Sequence, residues 1–240
     1  MNFQRASMGS SLSVMQLWAF SARGWLGDFH DWIAAGLGPQ VPWRHVDAPT
    51  GGALPRASEL AGVVLTGSHA MVTERAPWSR ALESWLRQMV QAEVPVLGIC
   101  YGHQLLAQAL GGVVDYHPQG MEIGSHPVAL TEQARRDPLF SDGPMHFDAH
   151  LVHAQSVRRL PAGAVLLAHS RHEPHQAFRI GDRAWGVQFH PEFSAAAMEG
   201  SLRIVCAEPG PGRPLVAAPA RPTPAASAVL TRFGRLCMAR

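Results

Sequence analysis

Three residues have the types and spacing to do nucleophilic chemistry. The first is Cys100, in the stretch Val94-Pro95-Val96-Leu97-Gly98-Ile99-Cys100-Tyr101-Gly102-His103-Gln104. The apolar run over residues 94–99 has the length of a strand buried on both faces. Beyond Cys100 the period becomes helical, with Leu105, Leu106, Ala109 and Leu110 on one stripe and Gly111-Gly112 as its stop. Cys100 is thereby placed at a sharp strand-to-helix turn. Gly98 and Gly102 flank it, leaving space where Cβ atoms would crowd an exposed nucleophile. The positive end of the following helix dipole favours a negative charge on the sulfur. The other two residues are His190 and Glu192, in a second apolar run, Trp185-Gly186-Val187-Gln188-Phe189-His190-Pro191-Glu192-Phe193. Proline holds the preceding His190 extended, and residues two apart in an extended segment face the same way. Glu192 can therefore reach the His190 ring. A thiol, an imidazole to move its proton and a carboxylate to orient the imidazole make a nucleophilic triad. A plainer reading exists for each part: Cys100 as a small core residue, and His190 at a strand end beside an unrelated glutamate.

The elements that would position these residues can be read from the chain. Residues 12–19 read as a first strand, 21–27 as a loop, and 28–37 as a helix with Phe29, Trp32, Ile33 and Leu37 on its apolar stripe. Residues 41–46 and 61–66 read as strands, the second ending in Gly67-Ser68. The spacing predicts a helix over 79–92, with Leu82, Trp85, Leu86, Met89 and Val90 inward and Glu83, Arg87 and Gln91 opposite. Strands and helices alternating across short turns imply an α/β fold: an open, mostly parallel sheet with helices on both faces. Sites in such sheets collect at the carboxyl ends of strands, where Gly67 and Cys100 both fall. Residues 113–116, 126–130 and 164–168 read as short strands, partly antiparallel. Ile180-Gly181-Asp182-Arg183-Ala184 signals a hairpin into the His190 run. Residues 194–206 read as a helix, 208–224 as an irregular Pro-, Gly- and Ala-rich connection, and 225–238 as a last helix.

Gly98-Ile99-Cys100-Tyr101-Gly102-His103-Gln104 together with His190-Pro191-Glu192 resembles the class I, triad-type glutamine amidotransferases. The similarity is greatest to small stand-alone members akin to the glutaminase half of GMP synthase, and it extends over residues 12–205. It divides the chain into a leader (1–11), the amidotransferase domain (12–206) and a Pro/Ala-rich connection with a C-terminal helix (207–240). It implies a flavodoxin-like sheet plus a small antiparallel sheet. It also implies hydrolysis of the glutamine side-chain amide to glutamate and ammonia through a γ-glutamyl thioester, with Cys100, His190 and Glu192 catalytic and no cofactor. The family's oxyanion donors map onto the backbone amides of Tyr101 and Gly67, although Gly67-Ser68 reads equally well as an ordinary strand-end turn. Ser68 and Gln104 fall at substrate-side positions. The segment Leu151-Val152-His153-Ala154-Gln155-Ser156-Val157 resembles the family's substrate-contacting stretch, more usually Ser-His-Gly-Asp with a following valine. Val152, Ala154 and Gln155 depart from that pattern, which leaves His153 and Gln155 as candidates for substrate binding. His103 reads as packing or surface.

Composition narrows the alternatives. The 240 residues are 47% hydrophobic and 16% charged, with a formal net charge of +2, which fits a compact protein. The small, scattered positive excess gives no reason to expect nucleic acid, and no apolar run reaches membrane-spanning length. Three cysteines are too few for a disulfide framework and fit a reducing, cytoplasmic setting. His146, His150 and His153 have helical spacing near Asp148, and His169, His172 and His175 recur every third residue. Without an HExxH motif or a cysteine pair, these read as structural or solvated histidines and no metal is expected. The chain is too short to include an ATP-pyrophosphatase domain, so ammonia would pass to a separate acceptor synthase subunit. Two alternatives stand beside this reading: a free-standing γ-glutamyl peptidase or hydrolase, and a catalytically silent scaffold of the same fold.

Overall fold

The computed structural model describes residues 11–16, 29–207 and 215–239. In chain order these form β1 (Ser11–Gln16), α1 (Phe29–Leu37), β2 (Trp43–Asp47), β3 (Leu60–Leu65), α2 (Pro77–Gln91), β4 (Val96–Ile99) and α3 (Tyr101–Ala109). There follow β5 (Val113–Tyr116), β6 (Met121–Leu130), β7 (His146–His153), β8 (Gln155–Arg159), β9 (Val165–His169), β10 (Ala177–Ile180) and β11 (Ala184–Val187). The chain then runs through α4 (Ala195–Ala207), β12 (Leu215–Ala217) and α5 (Pro224–Met238).

The main sheet runs β12-β6-β9-β10-β11-β4-β3-β1-β2, with β7 also paired to β6. Its half from β11 to β2 is parallel throughout, and β10, β9 and β6 continue it in antiparallel fashion. A separate two-stranded antiparallel sheet joins β5 to β8. The mixed α/β fold read from the alternation, with its small second sheet, is the fold observed.

Strand alternation sorts the core into two layers. Val63, Leu65 and Val96 point to one face and pack against α2 and α3, through Leu82, Leu86, Leu105 and Leu106. Val64, Leu97, Ile99 and Val187 point to the other face, where α1 and α5 cover them with Ile33, Leu37, Leu230 and Phe233. Close approach of α3 depends on two glycines paired across β4 and β11. A Cβ on Gly98 would meet the Gly102 carbonyl at 2.4 Å, and one on Gly186 would meet His103 Nδ1 at 2.6 Å.

Several boundaries differ from the sequence expectations. The first strand ends at Gln16, and residues 17–28, with the expected loop, lie outside the described residues, as do residues 1–10. The second strand begins and ends one or two residues later than expected. Helix α2 starts earlier than residue 79, because Pro77 takes its first turn, where a missing N–H costs nothing. Glu83 is buried rather than solvated and pairs with Arg75 at 3.2 Å. The helical spacing of His146, His150 and His153 misleads, since all three lie on β7. β6 is twice the expected length, β7 and β8 were not anticipated as strands, and the expected hairpin at residues 180–184 joins β10 to β11. Within residues 208–224, Leu215–Ala217 adds a short parallel edge strand against β6. The close approach there is possible because Gly124 has φ +115 and no Cβ, which would otherwise sit 2.0 Å from the Ala218 carbonyl. Among the described residues no helix is long and apolar enough to cross a membrane.

Candidate active site

Three adjacent parallel strands, β3, β4 and β11, end side by side, and the segments leaving them bring Gly67, Cys100 and His190 together. Cys100 has φ 51 and ψ −100, a strained conformation for a residue with a Cβ. The strain is held by the packing around it. A Cβ on Gly102 would lie 2.6 Å from the Leu65 carbonyl, and the Gly102 amide donates to the Thr66 carbonyl at 3.2 Å. Tyr101 opens α3, so its amide has no partner within the helix. Its ring is buried, with the hydroxyl bonded to Ser79 Oγ at 2.8 Å.

His190 leaves β11 through a turn rather than continuing the strand, which stops at Val187. Its amide donates to the His150 carbonyl on β7 at 2.8 Å, fixing the backbone. Its ring donates from Nδ1 to Glu192 Oε1 at 2.7 Å, and both side chains are buried. The i, i+2 reach from His190 to Glu192 is thus realised without a regular strand. Cys100 is the other hydrogen-bonding partner of the ring. Burial works against a charge on His190, but the Glu192 carboxylate and the Cys100 sulfur outweigh it and push the imidazole up to about 10. The Cys100 thiol also lies 3.6 Å from the Val152 carbonyl at the end of β7, to which it donates.

Gly67 lies against both partners. A Cβ there would be 3.0 Å from His190 Cε1 and 3.7 Å from Cys100 Cβ. Ser68 accepts the Ala70 amide at 3.1 Å, so its hydroxyl shapes the turn after β3. Gln104 is buried one helical turn beyond Cys100. Its Nε2 donates to the Gln155 carbonyl at 2.7 Å and to Gln188 Oε1 at 2.9 Å. Gln155 turns its own amide to Thr73 Oγ1 at 2.6 Å, clamping the loop after β3 to the start of β8. His153 bridges the Gln155 carbonyl (3.0 Å) and Glu122 Oε2 (3.2 Å). Burial disfavours its charged form, yet Glu122 by hydrogen bond and charge, Glu173 and the Cys100 sulfur together raise its proton affinity. The side chains of Gln104 and His153 therefore converge on the Gln155 carbonyl, while the Gln155 side chain turns to Thr73.

Sequence reasoning missed several neighbours. Phe193, directly after the His-Pro-Glu run, stacks on the His190 ring at 4.2 Å. Phe29 brings the start of α1 to the same ring. His69 lies close enough that burial and the His190 charge lower its proton affinity, and Glu122 supports His153 from β6. Only the adjacency of Phe193 to the motif offered a signal. Among the described residues, no group of three His, Cys, Asp or Glu is arranged to hold a metal ion.

Residues 37–203 match the sequence profile of glutamine amidotransferase class-I. The chain belongs to that family. Curated relatives agree: a glutamine-hydrolysing GMP synthase from Aeropyrum pernix is 39% identical over 152 residues, 63% of this chain and 27% of that protein. The glutamine amidotransferase-like protein YfeJ of Salmonella typhimurium is 35% identical over 186 residues, 74% of each chain. This amidotransferase spans only about a quarter of the length of the GMP synthases it matches. Among solved structures, a glutamine amidotransferase from Methylobacillus flagellatus superposes with a TM-score of 0.73 at 27% identity, covering 96% of this chain and 93% of that one. A glutamine amidotransferase from Thermotoga maritima gives a TM-score of 0.67 at 25% identity, with 83% and 84% covered.

Proposed function

We propose that this amidotransferase hydrolyses the side-chain amide of glutamine to glutamate and ammonia through a γ-glutamyl thioester on Cys100. The observation that carries the reading is the convergence, beyond the carboxyl ends of the central strands β4 and β11, of a strained Cys100, the buried His190 and its 2.7 Å bond to Glu192. The sulfur adds to the δ carbon, and the oxyanion formed takes hydrogen bonds from the backbone amides of Tyr101 and Gly67. His190, held as imidazolium by Glu192, gives its proton to the departing nitrogen as the C–N bond breaks. Water then adds to the thioester, its proton passing to His190, and the C–S bond breaks to free glutamate. The loop carrying Ser68 and the Gln104–Gln155–His153 cluster form the side that holds the α-amino acid end, mainly through backbone groups and shape. Ammonia goes to an acceptor on a synthase, a reading supported by the similarity to glutamine-hydrolysing GMP synthases.

A glutamine analogue with a chloroketone at the δ position tests the assignment. Mass spectrometry should find it on Cys100 and not on Cys206, and free glutamine in the millimolar range, about a typical KM, should protect. Absence of labelling at Cys100, or labelling indifferent to glutamine, would refute the reading.

A further inference from the structure

A cavity of about 420 Å³ lies between Arg75, in the segment that leads from Gly67 to α2, and the outer face of α2 itself. Pro77, Arg80, Glu83, Ser84 and Arg87 line it from the helix. Arg80, Ser84 and Arg87 are spaced four and three residues apart, so they share one helix face. Cys100, His190 and Glu192 take no part in the lining, and the groove is therefore separate from the candidate triad.

The charges around this groove do not balance. Glu83 is the single carboxylate in the lining, and it is only 4% exposed. It pairs with Arg75 at 3.2 Å and with Arg87 at 3.8 Å. Arg87 also donates from Nε to the Ala109 carbonyl at 2.8 Å and from a terminal nitrogen to Ser84 Oγ at 3.3 Å. These contacts place the two guanidiniums without covering them, since the Arg75 and Arg87 side chains stay 45% and 52% exposed. The Arg80 guanidinium has no hydrogen bond or ion pair among the described residues. Glu74 supplies no further carboxylate, because it turns back to accept the Met71 amide at 3.3 Å. Three guanidiniums against one carboxylate leave two positive charges in excess, as many as the whole chain carries. Their mutual repulsion favours an anion between them.

We propose that this groove binds a phosphoryl group, as free phosphate or as the phosphate end of a small phosphorylated molecule, with Arg75, Arg80 and Arg87 on its oxygens. A phosphoryl group carries a charge of about −1.5 to −2 near neutral pH and offers three accepting oxygens, which matches the excess. Planar guanidinium forks suit those oxygens, and Arg80 has all its donors to give. A carboxylate brings one charge and two oxygens, and would leave one guanidinium without a counter-ion. The cavity falls in the range of roughly 300 to 1,000 Å³ that small ligands occupy, so there is space for a group attached to the phosphate. Arg75 has two anions to serve in the occupied groove, and Glu83 therefore competes with the ligand for it.

The test is calorimetric titration of the full chain with inorganic phosphate, ribose 5-phosphate and acetate, at an ionic strength held constant with chloride. Phosphate or its ester should bind once per chain with a Kd of about 1 mM or tighter. Acetate should bind at least about tenfold more weakly, for want of the second charge. Arg80→Gln removes the guanidinium that no internal contact needs, so the fold does not depend on it. Its Kd for phosphate should rise about tenfold, the contribution of one charge-assisted hydrogen bond. Glu83→Gln keeps the side-chain shape and removes the competing charge, so its Kd should fall by about threefold or more. Melting temperatures without ligand show whether each variant folds, and Arg80→Gln decides alone if Glu83→Gln does not. Whichever of phosphate and ribose 5-phosphate binds more tightly distinguishes the free ion from a phosphorylated molecule, and either supports the proposal. No binding of either at about 10 mM, or acetate as tight as phosphate, would overturn it. So would an Arg80→Gln protein that binds phosphate like the parent, or a folded Glu83→Gln protein that binds it no more tightly.

Discussion

Glu192→Gln preserves side-chain size and removes one charge. In the native site Glu192 Oε1 accepts the His190 proton donor at 2.7 Å, and Glu192 Oε2 has no hydrogen-bond partner among the described residues. Burial opposes a charge on His190, but Glu192 and the Cys100 sulfur lift it from 6.5 to about 10. A rise of that size corresponds to about 5 kcal/mol of preference for imidazolium. The amide keeps the shape but not the charge, so both the imidazolium and the orientation of the ring are weakened, and the loss should be roughly 10²-fold, the lower end of what a positioned acid–base group contributes. His190→Ala removes the proton carrier itself and should cost more, about 10⁴-fold. The sign follows from the raised value. Imidazolium is present below about 10 and lost above it, so without the carboxylate it is lost at lower pH. The alkaline limb of the kcat/KM profile for glutamine, followed by glutamate release, should move toward acid in Glu192→Gln. An alkaline limb that stays put with activity within about threefold would refute the role given to Glu192. A Glu192→Gln variant worse than His190→Ala would mean the roles are exchanged.

Two further perturbations test how the fold holds the site. Gly124→Ala would place a Cβ 2.0 Å from the Ala218 carbonyl at a φ of +115, so β12 must leave β6. Urea unfolding should show a loss of at least about 2 kcal/mol, and the Ala218 amide, bonded to Ile123 O at 3.0 Å, should lose its protection from hydrogen exchange. His103 is fully buried, and desolvation lowers it to about 3. The unfolded chain takes up that proton near 6.5, so stability is present above 6.5 and declines as pH falls toward 3, by up to about 1.4 kcal/mol per pH unit. Between pH 6 and 4, about the window of this linkage, His103→Asn should flatten the slope of stability against pH by one proton; an unchanged slope would contradict the assignment.

What was legible in the sequence was whatever had an uninterrupted apolar run or a glycine with one steric purpose. Residues 60–65 are buried without exception, and Gly98 and Gly102 bracket the turn as their spacing implied. The sheet's antiparallel half was harder to read, because its strands bury polar groups. Glu122, Ser125 and His150 lie on β6 and β7 with almost no exposure, each satisfied in part across the pair, so no period-2 alternation of apolar and polar residues survives. The helical rhythm of His146, His150 and His153 is spurious, since His146 is exposed at the start of β7 while His150 and His153 are buried further along it.

The site divides along the same line. The motif residues were visible because each needs a particular residue type, whereas the support around them uses whatever fills the space. Phe29 and Phe193 meet at the His190 ring from segments 164 positions apart, a contact created only when α1 closes over the ends of β3 and β11. Gln104 shows the complementary case. Its position one turn past Cys100 suggested a substrate contact, yet its Nε2 is spent on Gln155 O and Gln188 Oε1. Losing those bonds would free the segment at Gln155 that also anchors His153 and, through Thr73, the loop after Gly67. Through Nε2 Gln104 ties α3 to Gln155 and Gln188, an arrangement that spacing alone cannot distinguish from direct contact with a substrate.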